Sequence, residues 1–152
     1  MQVLIVEDDH IWADWIQKAL EKEFSELQLE INRISTEQEF RGWLKTLATP
    51  APDVISMDMM LRWTDPTPEV EQESIPDDVK QGKFYRAGLR CTKLLAQDPK
   101  TRNVPVVLYT ILERDDLEGE LEDHNNVVHL SKNNDPRPLI RKIRDFARQK
   151  SS

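Results

Sequence analysis

The chain has 152 residues, 38% of them hydrophobic and 32% charged, with 28 Asp+Glu against 21 Lys+Arg and a formal net charge of -7. That length suits one domain with a single core, and the acidic balance argues against a surface that coats nucleic acid. The lone Cys91 excludes a disulfide framework and a multi-cysteine zinc site and suits a reducing compartment such as the cytoplasm; no apolar run reaches the ~18–20 residues of a membrane span.

Met1 leads straight into a strand-like run, Val3 to Val6, with no signal peptide before it. Ile11, Trp12, Trp15, Ile16, Ala19 and Leu20 follow at three- and four-residue intervals, the apolar stripe of an amphipathic helix. A second strand is predicted within Leu27 to Ile34. The next helix starts at Ser35 or Thr36, where Thr36 and Glu39 make a capping box, turns Phe40, Trp43, Leu44 and Leu47 inward, and stops before Pro50. Val54 to Met57 is a third strand. A helix from about Phe84 to Gln97 buries Leu89, Leu94 and Leu95. Strands at Val104 to Tyr109 and Val127 to Leu130 flank a helix over Leu112 to His124 that is thin in apolar residues, and a last helix over 136–149 buries Leu139, Ile140, Ile143 and Phe146. Strand and helix alternating five times predicts an α/β domain, a doubly wound five-stranded parallel sheet with helices on both faces. Residues 62–83 do not fit: they carry Pro66, Pro68 and Pro76 and six acids against three bases, without sustained periodicity. They read as a solvated acidic loop or a partner-binding element.

Ligands of an open α/β sheet sit beyond the carboxyl ends of its strands. There the first strand delivers Glu7, Asp8 and Asp9, the third Asp58, the fourth Thr110, and the fifth Ser131 and Lys132. Carboxylates brought together repel unless a cation neutralises them, and Mg²⁺ suits a site of few carboxylates and several waters.

The segments VLIVEDD, DVISMDMML, VPVVLYT and VVHLSK, in this order, resemble the receiver domain of two-component response regulators over nearly the whole chain, including the 22-residue step from Thr110 to Lys132. The resemblance implies a flavodoxin-like sheet of strand order 2-1-3-4-5 and a single receiver domain over residues 1–152, with the insertion at about 62–83 and no output domain. It further implies that Asp58 accepts a phosphoryl group from a histidine kinase or phosphotransfer protein. Mg²⁺ would be held by Asp8 and Asp58, by Glu7 through water, and by the main-chain carbonyl of Met60. Lys132 would contact the phosphoryl oxygens, Thr110 would move towards them, and Asp9 would cap the first helix. The output would be binding to a protein target, or dimerisation through the 112–124 and 136–149 helices. Those helices carry opposite charge: ERDDLEGELED at 113–123 holds seven acids, and Arg137, Arg141, Lys142, Arg144, Arg148 and Lys150 face Asp145 alone.

The chain departs from the family at His129, where an aromatic is usual, at Asn133, which replaces a proline, at Ile111, which replaces a small residue, and at the fourth position after Asp58, which lacks the usual proline. A receiver-like scaffold that ignores phosphate and presents the 62–83 loop is the alternative. A metal-dependent phosphatase would need a further acid two residues past Asp58, where Met60 stands. Trp12, Trp15 and Trp43 read as packing residues, Cys91 as a core residue, Trp63 as a potential reporter of phosphorylation, and His10 and His124 as residues without a ligand's partners.

Overall fold

A computed structural model describes residues 1–48, 50–65, 75–117 and 126–152. The elements run β1 (Gln2–Val6), α1 (His10–Glu23), β2 (Glu30–Ile34), α2 (Glu37–Lys45), β3 (Val54–Met57), α3 (Asp77–Gly82), a 3-10 turn at Phe84–Arg86, α4 (Ala87–Gln97), β4 (Val106–Thr110), a 3-10 turn at Arg114–Leu117, β5 (Val127–Ser131) and α5 (Arg137–Ser151). All pairings are parallel, in the order β2-β1-β3-β4-β5. This is the doubly wound, flavodoxin-like arrangement that the sequence predicts.

Successive side chains of a strand point to opposite faces, so each buried strand feeds two cores. Val3, Ile5, Val107 and Tyr109 pack with Ala13, Ile16 and Leu20 of α1 and Leu139, Ile140 and Ile143 of α5. Leu4, Val6, Ile55, Met57, Val106 and Leu108 pack on the other face with Phe40 and Leu44 of α2 and Leu89, Cys91 and Leu95 of α4.

Several boundaries differ from the sequence reading. The second strand begins at Glu30, and Leu27 lies before it with 56% of its surface exposed. As an edge strand paired only with β1, β2 is shielded on one side. The stripe of α1 is narrower than its apolar residues suggest: Ile11 and Trp15 are 78% and 41% exposed, because Ala13, Ile16 and Leu20 already fill the contact with the sheet and α5. Helix α2 ends at Lys45, leaving Leu47 beyond it and half-buried. The helix predicted from Phe84 begins as a 3-10 turn and becomes α-helical only at Ala87. Of the helix predicted over 112–124, the described residues 112–117 form only a short 3-10 turn at Arg114–Leu117; residues 118–124, with His124, lie outside the described residues, as does the middle of the 62–83 segment. The described end of that segment is not featureless, since it forms α3.

Candidate functional site

Hydrogen bonds that run past the strand ends fix the backbone on which the acids stand. The Glu7 N–H donates to Ile34 O (2.9 Å), the Asp58 N–H to Val6 O (2.9 Å) and the Lys132 N–H to Thr110 O (2.7 Å). Each residue is thereby clamped to the neighbouring strand at the carboxyl edge of the sheet. Asp9 caps α1, its Oδ1 accepting from the Ile11 N–H (2.9 Å) and the Trp12 N–H (3.3 Å), so the acidic run turns directly into a helix.

Glu7, Asp8 and Asp58 each bring a carboxylate oxygen within 4.8 Å of the others. Lys132, itself nearly fully buried, binds Glu7 and lies 3.5 Å from Asp58. Its ammonium also sits 5.0 Å from the Trp12 ring centre and 5.7 Å from that of Tyr109, two π faces that share its desolvated charge. Burial and the Asp58 charge push the Glu7 carboxyl up to about 8, against the pull of Lys132. The Asp8 carboxyl is raised by burial and by Asp58, and Arg62 offsets this in part.

Asp58 Oδ1 is buried and has no hydrogen-bond partner among the described residues. An orphaned carboxylate oxygen costs free energy unless a further group serves it. Three hard oxygen donors around one such atom fit a divalent cation. The acidic cluster could therefore hold a divalent metal.

Thr110 is fully buried, and its Oγ1 accepts from the Leu112 N–H (3.2 Å), which leaves the hydroxyl proton free to donate. His129 Nε2 is bonded to Leu112 O (2.8 Å), so the residue in the usual aromatic position tethers the loop that follows β4. Ile111 stays 59% exposed. Asn133 makes its turn by its side chain, Oδ1 accepting from the Asp135 N–H (3.0 Å), in place of a proline ring. Met60 packs half-buried against the α2–α4 core, two residues past Asp58.

Sequence reasoning missed three further features. Gly88 donates its N–H to Met59 O (2.8 Å), and a Cβ there would stand 2.7 Å from Met59 Cα. The chain beyond Asp58 can therefore pass only over a residue without a side chain. Arg62 and Trp63 present their carbonyls to the first two N–H groups of α2, on Glu37 and Gln38 (both 2.9 Å), serving donors that a helix leaves orphaned. Glu37 is wholly buried, gripped by Arg90 (2.6 Å) and Arg41 (2.8 Å), and Arg41 continues to Asp78 of α3 (2.9 Å). Arg41 lies four residues from Glu37 on the same helix, whereas Arg90 lies 53 positions away.

Cys91 is buried in the core, and burial drives its thiol far up. Trp12 packs edge-on to Tyr109 (5.9 Å) and Trp43 against Phe40 (5.5 Å), and Trp15 packs on Trp12 (5.2 Å) while keeping a solvent face.

No helix among the described residues is long and apolar enough to cross a membrane. No family model and no curated protein sequence matches the chain. Solved structures do. The manganese-bound form of the response regulator Rcp1 matches with TM-score 0.63 and 20% identity, over 95% of this chain and 90% of that one. The phosphorylated cyanobacterial phytochrome response regulator RcpA matches with TM-score 0.64 and 19% identity, over 95% and 89%. A CheY-like receiver domain protein from Methanospirillum hungatei JF-1 matches with TM-score 0.66 and 16% identity, over 99% and 96%. The chain has the fold of response-regulator receiver domains.

Proposed function

We propose that this chain is a receiver that takes a phosphoryl group onto Asp58 and signals by binding other proteins. The observation that carries this reading is the buried, unpartnered Oδ1 of Asp58 inside a cluster of two further acids and Lys132. A carboxylate oxygen of Asp58 attacks phosphorus, the bond from phosphorus to the donor's nitrogen or oxygen breaks, and the donor leaves with that electron pair. The donor would be the phosphohistidine of a histidine kinase or phosphotransfer protein. Lys132, held beside Asp58, supplies positive charge to the transferred oxygens, and the Thr110 hydroxyl supplies a hydrogen bond. Glu7, Asp8, Asp58 and the Met60 carbonyl would hold Mg²⁺, which offsets charge on the phosphoryl oxygens when bound. This is switching chemistry and not substrate turnover, carried out in the cytoplasm. The manganese-bound and phosphorylated forms of the two regulators named above support the same reading by analogy of fold.

Output would run through the loop after β4 and α5, to a protein target or to a second copy of the chain. Part of the basic charge of α5 is already answered within the monomer, Arg144 by Glu23 and Lys150 by Asp53. A scaffold role for the 62–83 segment is supported by α3, which Arg41 ties to the core beside the exposed Phe84 and Tyr85. The two readings part on one experiment. With Mg²⁺, beryllofluoride should change the tryptophan fluorescence of wild type and leave Asp58→Asn unchanged; no response in wild type would leave the scaffold reading standing.

A further inference from the structure

Arg62 stands at the rim of the acidic cluster. Its guanidinium Nε is 3.6 Å from Asp8 Oδ2, with the arginine side chain 54% exposed and the aspartate 23%. The backbone beneath it is anchored to α2, where its carbonyl accepts from the Glu37 N–H at the start of the helix (2.9 Å). The next residue repeats the attachment, Trp63 O accepting from the Gln38 N–H (2.9 Å) while Arg41 stacks 5.5 Å from the indole centre. The anchored backbone keeps the side chain within reach of the cluster, on the solvent side of Asp8, where Lys132 occupies the buried side of Glu7.

We infer that Arg62 is a positioning residue that competes with the divalent cation for Asp8 and so sets how tightly the acidic cluster binds metal. The inference rests on the cluster being the metal site proposed above. In the metal-free protein the guanidinium neutralises Asp8; a cation arriving at Asp8 meets a positive charge next to it and gives up part of the carboxylate's attraction. The effect has a sign. Removing the charge tightens metal binding, while retaining a charge of different shape preserves the competition. Because Arg62 is more than half exposed, salt screens it, and the difference narrows at high ionic strength.

The test is titration of the full chain with Mn²⁺, read by isothermal calorimetry and by the paramagnetic relaxation of water, so that phosphorylation plays no part in the readout. Wild type should bind one Mn²⁺, and Asp8→Asn should lose it; if wild type binds none, the metal site and this inference fall together. With that binding present, Arg62→Gln should bind about 3–10-fold tighter at low salt and Arg62→Lys within about 2-fold of wild type, the scale of one exposed charge near a divalent ion. Equal affinity of Arg62→Gln and wild type would overturn the role of Arg62 and leave the metal site intact. Tightening of Arg62→Lys to match Arg62→Gln would overturn it as well, because shape rather than charge would then be responsible. Thermal melting of the three variants without metal controls for folding, since the hydrogen bond to the carbonyl of residue 62 does not involve its side chain.

Discussion

Glu7 is a buried carboxyl whose proton is held more tightly in the folded chain than in the unfolded one. Its ordinary value of 4.5 rises to about 8, through burial first and the neighbouring Asp58 charge second. Between those values the folded state binds the proton and the unfolded state does not, so stability falls as pH rises across that window and levels off above it. In EDTA the melting temperature should therefore decline from about pH 5 to pH 8, and Glu7→Gln should flatten the slope; a wild-type profile as flat as that of the variant would contradict the assignment. At Gly88 the constraint is steric. Gly88→Ala drives a methyl into the backbone at Met59, and denaturant unfolding should show a loss of roughly 1–3 kcal/mol, the usual scale of overpacking. An alanine variant as stable as wild type would mean that the chain past Asp58 shifts freely.

Between elements, the ion network from α2 to α4 and α3 has one dry end and one wet end. Glu37 is fully buried, and truncating it would leave Arg90 without its carboxylate and Arg41 with only that of Asp78. Glu37→Ala should cost about 3–5 kcal/mol in denaturant unfolding, as expected for a broken buried pair. Asp78, whose side chain is 56% exposed, holds the same Arg41 from the solvent side, and Asp78→Ala should cost at most about 1 kcal/mol. Equal costs would show that α3 belongs to the core and is not merely pinned to it. This network also marks where sequence reasoning stops. The acids at the strand ends were legible because each strand declares its own end, and Asp9 and Thr36 were legible as caps because a cap acts within four residues. Glu37 meets Arg90 only after the chain has folded, and nothing local distinguishes it from a solvated glutamate. The reciprocal arm of the predicted capping box is also shifted by one residue, since the Glu39 carboxylate accepts from the Ser35 N–H (3.3 Å) and not from Thr36. The exposed Ile11 and Trp15 show the converse limit, because apolar spacing cannot tell how wide a contact face will be.

For the molecule as a whole, the charge of -7 is uneven, with acids concentrated at the sheet edge, in the 62–83 segment and in 113–123, and bases concentrated in α5. The fold makes one of those concentrations chemical. The order β2-β1-β3-β4-β5 puts β1 and β3 side by side, so their terminal acids share one space, and β4 and β5 bring Thr110 and Lys132 to the same edge. The central claim is that Asp58 is the residue this arrangement serves. The most direct measurement is intact-protein mass after incubation with acetyl phosphate and Mg²⁺, followed by hydroxylamine, which cleaves acyl phosphates. Wild type should gain one hydroxylamine-labile phosphoryl group and Asp58→Asn none; an unmodified wild type, or an equal gain in Asp58→Asn, would contradict the account.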